Sequence, residues 1–345
     1  FSSGSVVTSD FFDQDVDVFL FVFLLFVPVK YPYPATSYLL TNNDGTYTIA
    51  TPELAPELEE VGMVTDATWA DMNADGKLDL IVTGEWMGVQ VFVNQGNKLM
   101  KSDAHPALSN AVGWWNRLLV EDIDNDGDKD IVAGNLGLNY KFHASPEKPF
   151  QVYSNDFDFN GVEDVVLAKE YGGKEVPVRG KTCMTQQMPH LAQKIPTYND
   201  FASRDLAGIV GKRIESALHY QATEFRAGVF LNQGQDGFEF SPFGIPVQQS
   251  PINSIIYDDF DRDGAKDLIL AGNNYQSEVE TTRADAGIGS FLKGDGKGNF
   301  QRISYRETGF FADQDVRNML AVSTANSKLL FVVNNNSKHN IFRLN

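Results

Sequence analysis

The chain has 345 residues, enough to bury a sizeable core as one large all-β domain or two ordinary ones. A formal net charge of −18 argues against a nucleic-acid backbone as partner, and 12% aromatic residues with 29 glycines favour β architecture. The lone cysteine, Cys183, excludes an internal disulfide and leaves the redox compartment open.

Residues 1–50 open on Val6-Val7, pass through the acidic stretch 10–17 and enter an apolar run at 18–27. That run is about half the length needed to span a bilayer and stops at Pro28, so it predicts a buried strand. Asp13, Asp15 and Asp17 look like a degenerate metal loop without the glycine and last aspartate of the later copies, and no metal is assigned there. Tyr38 to Tyr47 predicts a hairpin turning at Asp44-Gly45, and 51–60, with Pro52 and Pro56, a short surface helix or loop. The start at Phe1, without Met or a basic segment, is the pattern of a mature or truncated product.

Four acidic loops follow, at 71–79, 122–130, 156–164 and 259–267. Side-chain oxygens fall at positions 1, 3, 5 and 9 of each. They are Asp71, Asn73, Asp75 and Asp79; Asp122, Asp124, Asp126 and Asp130; Asp156, Asp158, Asn160 and Asp164; and Asp259, Asp261, Asp263 and Asp267. Position 6 is glycine every time, and position 7 would add a backbone carbonyl, from Lys77, Asp128, Val162 or Ala265. Such a set suits Ca²⁺, which takes about six to eight oxygens at about 2.3–2.6 Å. An EF-hand would need a glutamate at position 12, where the second loop has Ala133 in an apolar run. One copy could be a solvated turn, since Asp and Gly are ordinary turn residues. Four copies at one spacing, each leading into a strand, point to metal. About four Ca²⁺ would bring the net charge to about −10 and lock each hairpin by offsetting its clustered carboxylates.

Between 172 and 224 the pattern changes to helix-compatible segments at 184–194, 198–203 and 209–219, separated by Pro196 and Gly208. This partly helical insertion is a candidate docking element. A last unit without an acidic loop covers 319–322, 328–333 and 340–344. Each complete unit runs strand, acidic loop, apolar strand ending in Gly, strand, turn. Four short strands cannot bury themselves alone, so the units must stack, and about 50 residues per unit favours a radial arrangement. The expected fold is an all-β propeller of about six to seven four-stranded blades, one domain over 1–345, belonging to a longer protein.

The pattern Asp-x-(Asp/Asn)-x-(Asp/Asn)-Gly-x-x-Asp before an apolar strand resembles the FG-GAP, or VCBS, repeat of β-propellers, also seen in integrin α-subunits. Further likeness is to bacterial propellers related to cartilage acidic protein, often carrying an ASPIC/UnbV tail, which is not evident here. It rests on Tyr31-Pro32-Tyr33-Pro34, Ser37-Tyr38-Leu39-Leu40, Gly84-Glu85-Trp86-Met87 and Gly113-Trp114-Trp115-Asn116. Gly134-Asn135-Leu136-Gly137-Leu138-Asn139, Pro196-Thr197-Tyr198 and Ala271-Gly272-Asn273-Asn274-Tyr275 extend it. The resemblance implies an exported calcium-bearing propeller, in bacteria commonly at the cell surface in association with the outer membrane, and no defined catalytic activity.

The segments after each strand-ending glycine should emerge on one face of the disc. They carry Glu85, Trp86, Asn135, Tyr140, Asn273, Tyr275, Glu278 and Arg283, a set that suits glycan or peptide recognition, or else blade packing and loop capping. His190, His219 and Cys183 lack metal-ligand spacing, and no phosphate loop, Gly-x-Ser-x-Gly or His-Glu-x-x-His motif occurs. The expected function is a calcium-stabilised extracellular or cell-surface binding or scaffold module, with a protein or glycan partner within a larger surface assembly. The alternative is a polysaccharide lyase or hydrolase on the propeller face, which would need paired carboxylates in a cleft away from the loops.

Overall fold

Three runs, Leu80-Ile81-Val82, Ile131-Val132-Ala133 and Leu268-Ile269-Leu270, are apolar at every position although a strand turns successive side chains to opposite faces. Such a strand is stable only when both of its faces are covered. The computed structural model, which describes residues 5–9, 19–23, 25–28, 30–277, 281–324 and 327–344, shows what covers them. Leu80 and Val82 pack with Phe19, Phe21 and Phe23 of the preceding sheet, while Ile81 packs with Ile131 and Phe230 of the following one. Val132 packs with Ile255, Leu268 and Leu270, and Ile269 with Leu330 and Val332. The core is a series of such layers between neighbouring sheets, each fully buried Leu, Ile or Phe contributing about 1.5–3 kcal/mol.

The fold is all-β, its antiparallel sheets arranged as propeller blades. Five sheets follow one another among the described residues. The first comprises Ser5–Ser9, Phe19–Phe23, Tyr38–Asn43 and Thr46–Ile49, and the second Met63–Ala70, Asp79–Met87, Gln90–Asn94 and Leu99–Lys101, with Gly113–Trp114 added beside Asp79–Met87. The third is Arg117–Glu121, Asp130–Gly134, Gly228–Asn232 and Phe238–Pro242. The fourth is Ser254–Asp258, Asp267–Ala271, Ser290–Gly294 and Phe300–Ile303, and the fifth Val316–Ser323, Lys328–Asn334 and Asn340–Leu344. Their first strands are neighbours. Met63–Ala70 lies beside Ser5–Ser9 and Arg117–Glu121, and Ser254–Asp258 lies beside Arg117–Glu121 and Val316–Ser323.

A sixth sheet, ordered Lys174–Pro177, Asp164–Tyr171, Phe150–Asn155, Leu218–Ala222, is not a blade in this series. It lies within the third blade, whose second strand pairs directly with Gly228–Asn232, with Ile131 opposite Phe230. The insertion expected at 172–224 therefore starts after Gly134 and includes the acidic loop 156–164. One face of its sheet, through Tyr153, Val166 and Ala168, is covered by Met184, Met188, Leu191, Ile195 and Ile209 from short helices. The other face, through Phe150 and Val152, packs with Met63, Trp86 and Phe225. The helices are Lys181–Gln187, Leu191–Lys194, Tyr198–Ser203 and Leu206–Val210. The helix expected over 209–219 stops at Val210, because Gly211 takes φ +89°, and His219 lies instead on the strand Leu218–Ala222.

The two end blades differ from the middle ones. Leu320, Phe331 and Ile341 are cross-strand neighbours on the outer face of the fifth blade, with Leu320 58% and Ile341 60% exposed. On the first blade, Leu20, Leu40 and Ile49 align in the same way, and Ile49 is 61% exposed. Among the described residues nothing covers these two faces. The acidic stretch 10–17 lies outside the described residues, as does Glu278.

Candidate metal loops and the axial cavity

All four acidic loops join two antiparallel strands, and they share one internal wiring. The ninth-position aspartate is buried at the start of the second strand and clips the loop shut. Asp79, Asp130, Asp164 and Asp267 each accept the backbone N–H of position 2, from Met72, Ile123, Phe157 and Phe260, at 2.8–3.1 Å. In the three blades, the other oxygen accepts an N–H from the third strand or its end: Asn94, Asn232 and Gly294, at 2.8–3.0 Å. Gly76, Gly127, Gly161 and Gly264 donate to the first aspartate of their loops. The glycine has φ between +82° and +99°, which explains its invariance among the copies. Position 4 is also left-handed, at Ala74, Asn125, Phe159 and Arg262, a cost that no residue type at that position reveals.

Groups of three carboxylate oxygens within 4.8 Å of one another occur at Asp122, Asp124 and Asp130; at Asp156, Asp158 and Asp164; and at Asp259, Asp261 and Asp263. In the loop 71–79 the corresponding third-position side chain is the amide of Asn73. Burial pushes the Asp130 carboxyl up to about 6, with the charges of Asp124 and Asp126 adding to it, and burial likewise raises Asp79, Asp164 and Asp267. Asp122 Oδ1 is buried without a hydrogen-bond partner. In the fourth loop the ammonium of Lys293 contacts both Asp261 and Asp263, standing where a cation would sit. Converging oxygens, a buried lone oxygen and a cationic stand-in all fit a hard cation.

At the other end of the blade strands is a cavity of about 660 Å³, bounded by all five blades. Leu25, Glu85, Arg117, Asn274, Arg317 and Asn335 each come from the wall or rim, with Trp114 and Tyr140 beside them. Of the eight residues expected on this face, Glu85 and Tyr140 line the cavity. Tyr31 donates to Glu85 Oε2 at 3.3 Å, and desolvation pushes the Glu85 carboxyl up to about 7.

Trp86, Asn135 and Asn273 are buried and cannot present themselves to a ligand. Trp86 donates its indole N–H to the Tyr31 hydroxyl at 2.6 Å and stacks on Phe150. Asn135 fastens the two ends of the insertion: its amide donates to the Glu224 and Arg226 carbonyls and its oxygen accepts from Trp114 and Leu136. Asn273 does the same for its own loop, bridging Gly287, Asp313 and Gln314. For these three the loop-capping and packing alternative holds. Tyr275 donates to the Asp313 carbonyl at 2.6 Å and carries the Arg283 guanidinium over its ring at 4.2 Å.

Arg117 and Arg317 were not singled out by the sequence. Each sits at the start of a blade's first strand, a position whose inward direction only the ring reveals. The glycine before Asn135 has a separate reason: a Cβ on Gly134 would lie 2.4 Å from the Ile252 carbonyl oxygen of the next blade.

A family model described as an FG-GAP-like repeat matches residues 71–133, from one acidic loop through the end of the second blade to the strand after the next loop. Among curated proteins, none matches the chain.

Proposed function

We propose that this chain is a calcium-stabilised propeller domain that serves as a binding or scaffold module outside the cytoplasm, at a bacterial surface, with a protein or glycan as its partner. The observation that carries the reading is the division of labour along the strands. At one end the same carboxylate trap recurs at the hairpin between a blade's first two strands, and at the opposite end five blades enclose a polar-walled cavity. The traps hold about four Ca²⁺ as structural clamps, through the side chains at positions 1, 3, 5 and 9 and the carbonyl at 7. The likeness of the inter-blade segments to the cartilage acidic protein group supports the surface location.

The enzyme alternative is the weaker one. Among the described residues lining the cavity the only carboxyl is Glu85, whereas glycoside hydrolysis generally takes two. The fold itself requires no catalysis.

Removing Ca²⁺ by chelation is expected to lower the melting temperature by several degrees or more, and adding Ca²⁺, but not Na⁺, to restore it. A melting temperature indifferent to chelator would overturn the clamp.

A further inference from the structure

We infer that the axial cavity is a binding site for a hydroxylated carboxylate, a sugar acid either free or as a unit of a glycan. This rests on the binding-module reading and gives it a ligand class. The body of the protein carries a net charge of −18, yet among the described residues the Arg, Lys, Asp and Glu side chains lining this cavity are two guanidiniums, Arg117 and Arg317, and one carboxyl, Glu85. Its volume, about 660 Å³, is in the range of small-molecule sites, about 300–1,000 Å³.

Both guanidiniums are held from behind. Arg117 Nε lies 3.7 Å from Asp66 Oδ2, and the buried Asp66 is itself fixed by the Leu118 N–H at 2.7 Å. Arg317 Nη2 lies 3.1 Å from Asp315 Oδ2, which also accepts from the Asn335 amide at 3.0 Å. Asp66 and Asp315 are 8% and 1% exposed, so they act as fixed anchors rather than as solvated counter-ions. Each arginine has one such contact among the described residues, and its remaining N–H donors are left for a ligand. A planar fork of donors matches a carboxylate better than it matches a neutral hydroxyl.

The rest of the wall selects for hydroxyls. Asn116, Asn274 and Gln276 line the cavity and make no side-chain hydrogen bond within the described protein, so each offers both a donor and an acceptor. Trp114, also on the wall, has an indole N–H buried without a partner. Desolvation raises the Glu85 carboxyl to about 7, so its negative charge on this wall is weakened near neutrality.

The test is calorimetric titration of the calcium-loaded chain with glucuronate, glucose, acetate and a glucuronate-containing oligosaccharide. Glucuronate is expected to bind at least about tenfold more tightly than glucose or acetate. Arg117→Gln should weaken it by about tenfold or more. Because Arg317→Gln alone would leave Asp315 buried without its cation, the pair Asp315→Asn with Arg317→Gln is the second variant, with the same expected loss. Tighter binding of the oligosaccharide identifies a glycan unit as the source, and binding of the monosaccharide alone a free acid.

Equal binding of glucose and glucuronate, affinity unmoved by both arginine variants at an unchanged melting temperature, or no heat with any probe up to roughly 10 mM would each overturn the assignment. Those results would leave the chelator experiment untouched, so this assignment can fail while the calcium-clamped binding module stands.

Discussion

Glu85 shows how much one side chain's surroundings decide. On an open face a glutamate stays ionised at neutral pH; between Tyr31 and the cavity wall, desolvation raises its carboxyl from 4.5 to about 7. A raised carboxyl favours the folded state fully below its unfolded value, near 4.5, and that contribution is lost as pH rises through about 7. Glu85→Gln removes the titration. Denaturation curves taken across pH 4 to 8 should therefore show the variant gaining on the parent as pH rises through this window, and parallel pH profiles would contradict the assignment. The residue scale also explains Asn135. A buried amide with four hydrogen-bonded backbone partners cannot be a ligand contact, whatever its exposed-looking neighbours suggest.

At the scale of the element, the acidic hairpin is a unit with its own electrostatics. Three carboxylates brought within 4.8 Å repel, a repulsion that backbone N–H donors offset in part and that the proposed cation would offset further. Asp126→Ala should lower the melting temperature of the calcium-loaded protein and reduce its sensitivity to chelator, because it removes one of the proposed ligands and the acceptor of the Asp128 N–H. The loop 259–267 differs in having Lys293 against Asp261 and Asp263, so its carboxylates already have a competing cation. Lys293→Met is expected to tighten Ca²⁺ binding at that loop by several-fold, read as an increase in total affinity by titration. Weaker binding in this variant would mean that the lysine supports the site instead of competing for it.

At the scale of the whole molecule, the alternation of strand faces converts sequence into layers. Leu330 lies between the fourth and fifth blades, whereas Ile341, on the neighbouring strand of the same sheet, faces outward. Leu330→Ala should cost about 2–5 kcal/mol in a denaturant titration, while Ile341→Ala should stay within about 0.5 kcal/mol. Comparable losses would mean that the outer face is covered in solution. The inserted sheet shows the same economy of form. It repeats the blade's hairpin with its acidic loop, but its faces are covered by helices on one side and by the Trp86 and Phe225 cluster on the other.

The sequence by itself determined the repeating hairpin, because Asp, Gly and the apolar run act within nine residues of one another and need no distant partner to declare themselves. It also determined that units of four short strands cannot bury themselves alone, hence stacked sheets. What it could not determine was which unit stands in the ring. The pairing of Ile131 with Phe230 joins residues 99 apart and is fixed by packing between blades, so the inserted sheet looked like one more blade in line. Nor could it tell Asn273, buried, from its neighbour Asn274, which lines the cavity, since the two are identical residues side by side. The inward direction of Arg117 and Arg317 is likewise a property of how the blades are arranged around the cavity. Local chemistry is written at short range; the identity of a cavity wall depends on contacts between blades, and only the tertiary structure brings those together.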